Sequence, residues 1–228
     1  MEKTRIQIIG DSLALHREKE GIQLEDTYPY LLNVIYEVTN SSGYGKSTND
    51  NFMVFSEHEF VIIHLGLVDC FPRLYSNRVK GMLNHLHPRL RKIVTFIFSH
   101  YRFYFTRMFQ KVNTNRIDFE QNMINILSEI KKSGAIPIIV DIVHVSKEAA
   151  DRNYGANDNI EKYNDTLCKI SFQYDCPRVR LNYMTKHHPE MLHKDGQHLS
   201  KIGHRVMAHL IYDTIEEYKW QTKQITMI

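Results

Sequence analysis

Three short and almost uninterrupted apolar runs constrain the fold of this chain more than any other feature: residues 5–9, 60–65 and 136–143. A strand buried on both faces of a parallel sheet reads as a continuous apolar run, whereas a half-exposed strand alternates. Segments with apolar residues at helical spacing stand between the runs. Strands alternating with helices predict a three-layer α/β/α sandwich with a mostly parallel sheet.

The segments around these runs predict four helices and one further strand. Pro29 suits the first turn of the first helix, and Gly134 follows the end of the second. The helices are expected at residues 26–38, 119–132, 157–174 and 200–218, and the short strand at residues 179–181. The stretch TNSSGYGKSTND, after the first helix, has the composition of turns.

Length and composition favour one domain over residues 1–228. The net charge of +3 is too small to indicate a nucleic-acid partner. Three cysteines are too few for a disulfide framework and fit a reducing compartment. The N-terminus lacks a signal-peptide pattern, and no apolar run is long enough to span a bilayer. We therefore expect a cytoplasmic protein with no membrane span.

One segment departs from the pattern. RLRKIVTFIFSHYRFYFTRMFQK, residues 89–111, is crowded with aromatic residues and interleaved with Arg and Lys. We expect a helical insertion at about 75–115, with its aromatic side chains packed inward over the sheet. Alternatively, the segment is a lid or a surface that meets a substrate, a partner chain or a membrane. A nucleic-acid face shares this composition, but the small net charge disfavours it.

Near the C-terminus the chain reads KDGQHLSKIGH, which places Asp195 and His198 three residues apart before a helix start at Ser200. This pattern suits a metal site, part of a catalytic triad, or a polar turn before a capped helix. Metal sites need three or more ligands at suitable spacing, and no other histidine or cysteine in the sequence stands at the spacing of a metal ligand. We expect no metal and no other cofactor.

The first apolar run supplies a nucleophile. It continues I-I-G-D-S-L, so Ser12 lies just past the carboxyl end of the first strand, where open α/β sheets bind ligands. A serine hydroxyl needs a positioned base, and His198 can take its proton. Asp195, on the same turn, can orient the imidazole and stabilise its protonated form.

IIGDSLA near the start and DGQHLS near the end together resemble the SGNH (GDSL-type) hydrolases. The resemblance covers most of the chain and is weakest over residues 72–115. It implies a flavodoxin-like sheet with Ser12 as the nucleophile, Asp195 as the orienting acid and His198 as the base. It also implies a glycine in the family's second block, after the second strand of the family's sheet, whose backbone N–H holds the oxyanion. Gly45 is our candidate, and Gly43 is the fallback.

The same stretch reads G-K-S-T, but it is not a phosphate-binding loop. That motif needs a glycine five residues before the Gly45–Lys46 pair, and position 40 is Asn.

The third block of the family, G-x-N-D, is altered here. The sequence is Gly66-Leu67-Val68-Asp69, so Val68 stands where the family has an oxyanion-donating Asn. Loss of one such donor typically costs about 10²–10³ in rate. Arg73 is the candidate replacement, and we count Asp69 and Arg73 among the oxyanion or substrate-binding residues. The run G-L-V-D-C-F-P-R also resembles SGNH-like proteins of bacterial surface-polysaccharide gene clusters, which points to a sugar substrate.

The leading hypothesis is a serine esterase that removes an O-acyl group, expected to be acetyl, from a sugar or glycan through an acyl-enzyme. A sugar O-acyltransferase on the same fold is the first alternative. A glycan-binding or scaffold protein that keeps the fold without turnover is the second, since Val68 weakens the oxyanion site. The expected partner is an acylated sugar or glycan, without nucleic acid.

Overall fold

The computed structural model describes residues 3–54, 57–74 and 77–226. The strands are β1 (Arg5–Gly10), β2 (Glu37–Asn40), β3 (Phe60–His64), β4 (Ile136–Val140) and β5 (Arg178–Val179). The helices of the first half are α1 (Tyr28–Leu32), α2 (Leu67–Cys70), α3 (Asn77–Asn84), α4 (Pro88–His100) and α5 (Arg102–Phe109). Those of the second half are α6 (Arg116–Lys132), α7 (Lys147–Asp151), α8 (Ala156–Gln173), α9 (Leu181–His187) and α10 (Lys201–Thr226).

The five strands form one parallel sheet with the order β2-β1-β3-β4-β5. This is the flavodoxin-like order, so the predicted fold class is confirmed. The chain passes from β1 to β2 on one side and then to β3 on the other, which makes the carboxyl ends of β1 and β3 the switch point of the sheet. Ligands bind at such a point, and Ser12 directly follows β1 there.

Aromatic contacts show how the helical layers close on the sheet. The Phe60 ring of β3 meets Tyr218 of α10 edge-on, with the ring centroids 6.0 Å apart. Phe119 of α6 packs on Tyr163 of α8 at 4.9 Å. The apolar runs of the sequence supply the fully buried interior between these layers, as continuous hydrophobicity requires.

The first predicted helix is wrong in its second half. Helix α1 ends at Leu32, and Glu37–Asn40 forms the edge strand β2 instead of helix. This strand has one paired neighbour, β1, and it is only partly buried. It therefore lacks the continuous apolar run by which the central strands were recognised.

The helices α3, α4 and α5 fall in the segment where the insertion was expected, although residues 75 and 76 lie outside the described residues. The Arg73 amide donates to the Lys111 carbonyl at 2.8 Å, which brings the two ends of the segment together. Phe98 and Phe105 are half-buried and pack on each other, whereas Phe96 and Tyr104 are 68% and 66% exposed, so the expectation that the aromatic side chains pack inward is wrong for Phe96 and Tyr104. Among the described residues, no helix combines the length and apolar character needed to cross a membrane.

Candidate active site

Ser12 is presented by a tight turn at the end of β1. The turn is the 3₁₀ segment Ser12–Ala14, and the Asp11 carboxylate caps it by accepting from the Leu13 amide at 2.8 Å. Burial raises the pKa of Asp11 to about 7. Gly10 leaves room for this turn, because a Cβ there would lie 2.8 Å from Ser42 Oγ. The turn therefore places the Ser12 side chain at the switch point of the sheet.

The loop before α10 brings Asp195 and His198 to Ser12. The Ser12 Oγ to His198 Nε2 distance is 3.0 Å, and His198 Nδ1 lies 2.6 Å from Asp195 Oδ2. The other Asp195 oxygen accepts from the backbone amides of Gln197 and His198 at 2.9 and 3.0 Å. Burial alone would raise the pKa of Asp195, but the hydrogen bonds from His198 and Gln197 outweigh it and hold that pKa well below its usual value. The nucleophile, base and acid expected from the sequence thus lie in one hydrogen-bonded line.

Backbone geometry fixes this loop against α7. Gly196 has a φ of +73°, a conformation that favours glycine, and a Cβ there would overlap Ser146 Oγ. The Ser146 amide donates to the Gly196 carbonyl at 2.8 Å, directly before α7 begins. The orientation of Asp195 consequently depends on the position of α7.

Arg17 is part of the site, although the sequence did not point to it. Its Nη1 lies 3.0 Å from His198 Nε2, and its Nη2 lies 3.6 Å from Asp195 Oδ2. Glu20 holds the guanidinium, with Arg17 Nε donating to Oε2 at 2.6 Å. A guanidinium only donates, so this contact uses the same Nε2 lone pair that the Ser12 hydroxyl needs. Arg17 follows no motif spacing, and only the fold of the turn after Ser12 reveals it.

A cleft of about 330 Å³ opens beside Arg17. The Tyr44 hydroxyl closes one side of it by donating to the His16 carbonyl at 2.6 Å. The cleft is lined by His16, Arg17, Glu18, Lys19, Glu20 and Tyr44. Its charged lining suits a polar ligand.

The loop after β2 carries both glycines that were considered for the oxyanion. The Gly43 amide donates to the Gly10 carbonyl at 3.1 Å, so it is already engaged. Gly45 lies in an exposed turn with a φ of +70°, and no acceptor for its amide is found among the described residues. The Ser12 amide also has no acceptor among the described residues. Of the two glycines, Gly45 has the available N–H.

Asp69 lies inside the protein, where it holds the loop after β2. It is fully buried, and its carboxylate accepts from the Thr48 amide at 3.1 Å, from Thr48 Oγ1 at 2.9 Å and from the Thr114 hydroxyl. Burial raises its pKa, and the hydrogen bonds from Thr114 and Thr48 oppose this. Thr48 is three residues after Gly45, so Asp69 holds the loop that carries this glycine.

Arg73 turns back towards α2. Its Nη2 donates to the Val68 carbonyl at 3.1 Å, and its side chain is half-buried. The guanidinium therefore lies next to the position at which the oxyanion-donating Asn was missing. Val68 itself is half-buried on α2 and offers no side-chain donor.

One group of possible metal ligands lies beside the site within the described residues. Ligand atoms of Glu20, His193 and Asp195 all lie within 4.8 Å of one another. Glu20 is hydrogen-bonded by Arg17, and Asp195 is hydrogen-bonded by His198. These carboxylates are thus engaged with the cationic and imidazole groups of the site.

Solved structures similar to this chain include a lipase/acylhydrolase, acetylxylan esterases and a GDSL-like lipase. A lipase/acylhydrolase from Enterococcus faecalis superposes with a TM-score of 0.66 at 16% identity, covering 94% of this chain and 96% of its own. An acetylxylan esterase from Geobacillus stearothermophilus superposes with a TM-score of 0.61 at 14% identity, covering 94% of both chains. A GDSL-like lipase from Bacteroides thetaiotaomicron VPI-5482 gives 0.59 at 14% identity, covering 94% of this chain and 89% of its own. No known protein-family profile matches the chain, and no curated protein does.

The order of the sheet, the turn after β1 and these superpositions define the class of the fold. The chain has the SGNH (GDSL-type) hydrolase fold along nearly its whole length.

Proposed function

We propose that the protein is a serine esterase that removes an O-acyl group, most simply acetyl, from a sugar or glycan. The observation that carries the proposal is the line Ser12–His198–Asp195, with distances of 3.0 and 2.6 Å, at the switch point of the sheet. A hydroxyl, an imidazole and a carboxylate in this geometry are the parts that acyl transfer through a covalent intermediate requires.

In the proposed reaction, Ser12 Oγ attacks the acyl carbonyl while its proton passes to His198 Nε2. The tetrahedral intermediate carries its negative charge near the amides of Ser12 and Gly45. Collapse breaks the bond to the sugar oxygen, which takes the proton from His198, and leaves an acyl-Ser12 ester. Water then attacks this ester with His198 as base, and the carboxylic acid leaves as Ser12 regains its proton.

Arg17 gives the leaving group a proposed location. His198 Nε2 must reach the leaving oxygen, and Arg17 Nη1 already lies 3.0 Å from that nitrogen. The sugar would therefore displace or contact Arg17 and occupy the cleft beside Tyr44. We expect Arg17→Ala to raise KM for an acetylated disaccharide more than for p-nitrophenyl acetate, whose leaving group is smaller.

Arg73 is the proposed cationic donor that compensates for Val68. Its Nη2 donates to the Val68 carbonyl at 3.1 Å, so the guanidinium lies against α2 at the position where the Asn is missing. Arg73→Ala is expected to lower kcat/KM by about 10²–10³, the usual cost of a lost oxyanion donor. An unchanged kcat/KM would exclude this role. Asp69 is proposed to act indirectly, by holding Thr48 and hence the Gly45 turn.

The glycan substrate rests on the resemblance of the third block to proteins of polysaccharide gene clusters and on the acetylxylan esterase among the similar structures. It is tested by acetate release from acetylated xylan and from acetylated monosaccharides, with Ser12→Ala as the control. Release that needs Ser12 supports the proposal. Release from p-nitrophenyl acetate alone would keep the esterase but reject the glycan.

The missing Asn keeps two alternatives open if Arg73 does not compensate for it. A weak oxyanion site slows attack on the acyl-enzyme by water and by a sugar hydroxyl alike, so acyl transfer would prevail only where a bound sugar excludes water. Acetyl transfer from p-nitrophenyl acetate to an added sugar, detected by mass spectrometry and faster than hydrolysis, would support a sugar O-acyltransferase. Neither hydrolysis nor transfer would favour a glycan-binding or scaffold protein.

A further inference from the structure

The inserted segment contains a charge concentration that the net charge of the whole chain hides. Between Asp69 and Asp118 the sequence has ten Lys or Arg residues and neither Asp nor Glu. The chain has 29 basic and 26 acidic residues in all, so the part outside this stretch has 19 against 26 and a net charge of −7. Five of the ten lie in α4 and α5, which we call the α4–α5 arm (residues 88–109): Arg89, Arg91, Lys92, Arg102 and Arg107.

The arm also exposes large apolar side chains. Helix α4 has no buried residue, and α5 buries only Thr106. Within each helix, exposed apolar residues follow one another at intervals of three or four, which places them on one face of α4 and on one face of α5. These residues, with Tyr101 between the helices, are called the stripe: Leu90, Ile93, Ile97, Tyr101, Tyr104 and Met108. Exposed apolar side chains grouped in this way are typical of an interaction surface.

Helix α5 is the attached part of the arm, and α4 is the outer part. The Tyr154 amide donates to Thr106 Oγ1 at 3.0 Å, and the Phe103 ring meets the Tyr154 ring edge-on at 5.7 Å. Phe98 of α4 packs on Phe105 of α5, with ring centroids 4.5 Å apart. The stripe therefore faces away from contacts that anchor the arm.

We propose that the α4–α5 arm binds the surface of a lipid bilayer that contains anionic phospholipid. Helices that combine Arg and Lys with exposed Leu, Ile and Phe lie in the plane of the interface, with the apolar side chains below the headgroups. Each cation close to an anionic surface contributes roughly fivefold in affinity. Helix α4 has 13 residues and α5 has 8, against about 20 needed to span, so the arm lies along the surface.

Charge complementarity favours this occupant over two others. A second copy docked arm to arm would bring five cations against five without an acidic partner on either arm. A nucleic acid would match the charge but would leave Leu90, Ile93 and Met108 without apolar contact, since bases stack on aromatic rings.

The arm lies at the same edge of the sheet as the candidate active site. Its segment starts at Arg73, just after α2, and α5 contacts Tyr154, which follows α7. The residue before α7, Ser146, bonds Gly196 next to Asp195. A bilayer held by the arm would thus lie near the crevice, and an ester on a membrane-anchored glycan would be within its reach. This consequence rests on the proposed function, whereas bilayer binding does not.

The test is flotation of the full-length protein with vesicles of phosphatidylcholine and phosphatidylglycerol in equal parts, compared with vesicles of phosphatidylcholine alone. We expect binding to the mixed vesicles at least tenfold tighter than to neutral ones, and weaker at high salt. The double variant Arg91→Glu, Lys92→Glu should bind at least tenfold more weakly. Lys162→Glu with Lys169→Glu, on the exposed side of α8, makes the same charge change elsewhere and should bind like the wild type.

A second pair of variants separates insertion from charge alone. Leu90→Ser with Ile93→Ser, two residues of the stripe, should also weaken binding at least tenfold, whereas Ile117→Ser with Phe172→Ser, which are 79% and 83% exposed elsewhere, should not. Circular dichroism should show all variants folded, because the arm residues are exposed, and p-nitrophenyl acetate hydrolysis should match the wild type.

The proposal is overturned if the wild type does not float with the mixed vesicles or if the arm variants float equally well. It is also overturned if light scattering finds a dimer that Leu90→Ser with Ile93→Ser abolishes, without vesicle binding. Single-stranded RNA that binds more tightly than the vesicles, through Arg91 and Lys92, would assign the arm to nucleic acid instead.

Discussion

His64 is a buried titratable residue whose protonation opposes folding. It ends β3 below the crevice, is 1% exposed, and its Nδ1 lies 3.0 Å from the Tyr28 hydroxyl. Its carbonyl accepts from the Asp11 amide, so it supports the turn that carries Ser12. Burial lowers the pKa of His64 to about 3, with a smaller contribution from the nearby His204.

The size of the effect follows from the two pKa values. An unfolded histidine titrates near 6.5, and the folded pKa is lower, so this contribution to stability is fully present above pH 6.5. As the pH falls below 6.5 the unfolded state binds a proton that the folded state does not. Each pH unit then costs about 1.4 kcal/mol, which amounts to about 2 kcal/mol at pH 5. A leucine at position 64 cannot bind this proton. Between pH 7 and pH 5, His64→Leu should therefore lose about 2 kcal/mol less unfolding free energy than the wild type.

The assay is urea unfolding followed by circular dichroism at pH 7 and at pH 5. Comparing the two pH values within each protein cancels the packing cost of the substitution, and comparing variant with wild type cancels the other titrating groups. Asp11 is one of these groups and has the opposite sign, because its folded pKa is raised to about 7.

Tyr28→Phe is the matched control. It removes the hydroxyl that meets His64 and leaves the imidazole, so it should lower stability nearly equally at both pH values. A difference below about 0.5 kcal/mol between His64→Leu and wild type would refute a buried, neutral His64.

Three further variants test the site and its support. Gly66→Ala should lower the free energy of unfolding in urea by about 1–3 kcal/mol, because the φ of Gly66 is +126° and a Cβ would lie 2.6 Å from a side-chain carbon of Ile142. Gly81→Ala is the control and should not destabilise, because its Cβ position lies in open space. Asp195→Asn should lower kcat by several orders of magnitude with little change in KM, since the amide cannot stabilise protonated His198. Val68→Asn should leave p-nitrophenyl acetate turnover within about threefold of the wild type, because Arg73 is proposed to fill the oxyanion site, and a rise of about tenfold or more would mean that the site is incomplete and would favour the transferase or binding alternative.

The central strands and the long helices could be predicted because burial on both faces leaves a continuous apolar run, and amphipathic packing leaves a helical period. The edge strand β2 could not, because Glu37–Asn40 has one paired neighbour and is partly exposed. Its sequence, E-V-T-N, carries no burial signal, so the pattern predicts helix for Glu37 and Val38 and turn for Thr39 and Asn40.

The candidate site divides in the same way. Ser12, Asp195 and His198 could be proposed from two short blocks, because local turns position each of them. Arg17 could not, because its contact with His198 joins residues 181 apart in the chain and depends on how the turn after Ser12 folds.

Exposure is the property that the sequence predicted least well. Asp69 was grouped with substrate-binding residues, yet hydrogen bonds from Thr48 and Thr114 compensate for its complete burial. The aromatic residues of the α4–α5 arm were expected inside, but Phe96 and Tyr104 face outward. Composition alone does not tell which side of an inserted helix meets the protein.

Covalent labelling of Ser12 tests the account most directly. The native protein is incubated with a fluorophosphonate, and the modified residue is located by peptide mass spectrometry. The account predicts one adduct, on Ser12, which is absent from Ser12→Ala. The adduct should form at least about a hundredfold more slowly in His198→Ala. Labelling should be unaffected in Ser42→Ala, which removes a buried hydroxyl close to the same turn. Ser12→Ala should melt within about a degree of the wild type. A native protein that is not labelled, or that is labelled equally in Ser12→Ala, would contradict a nucleophilic Ser12.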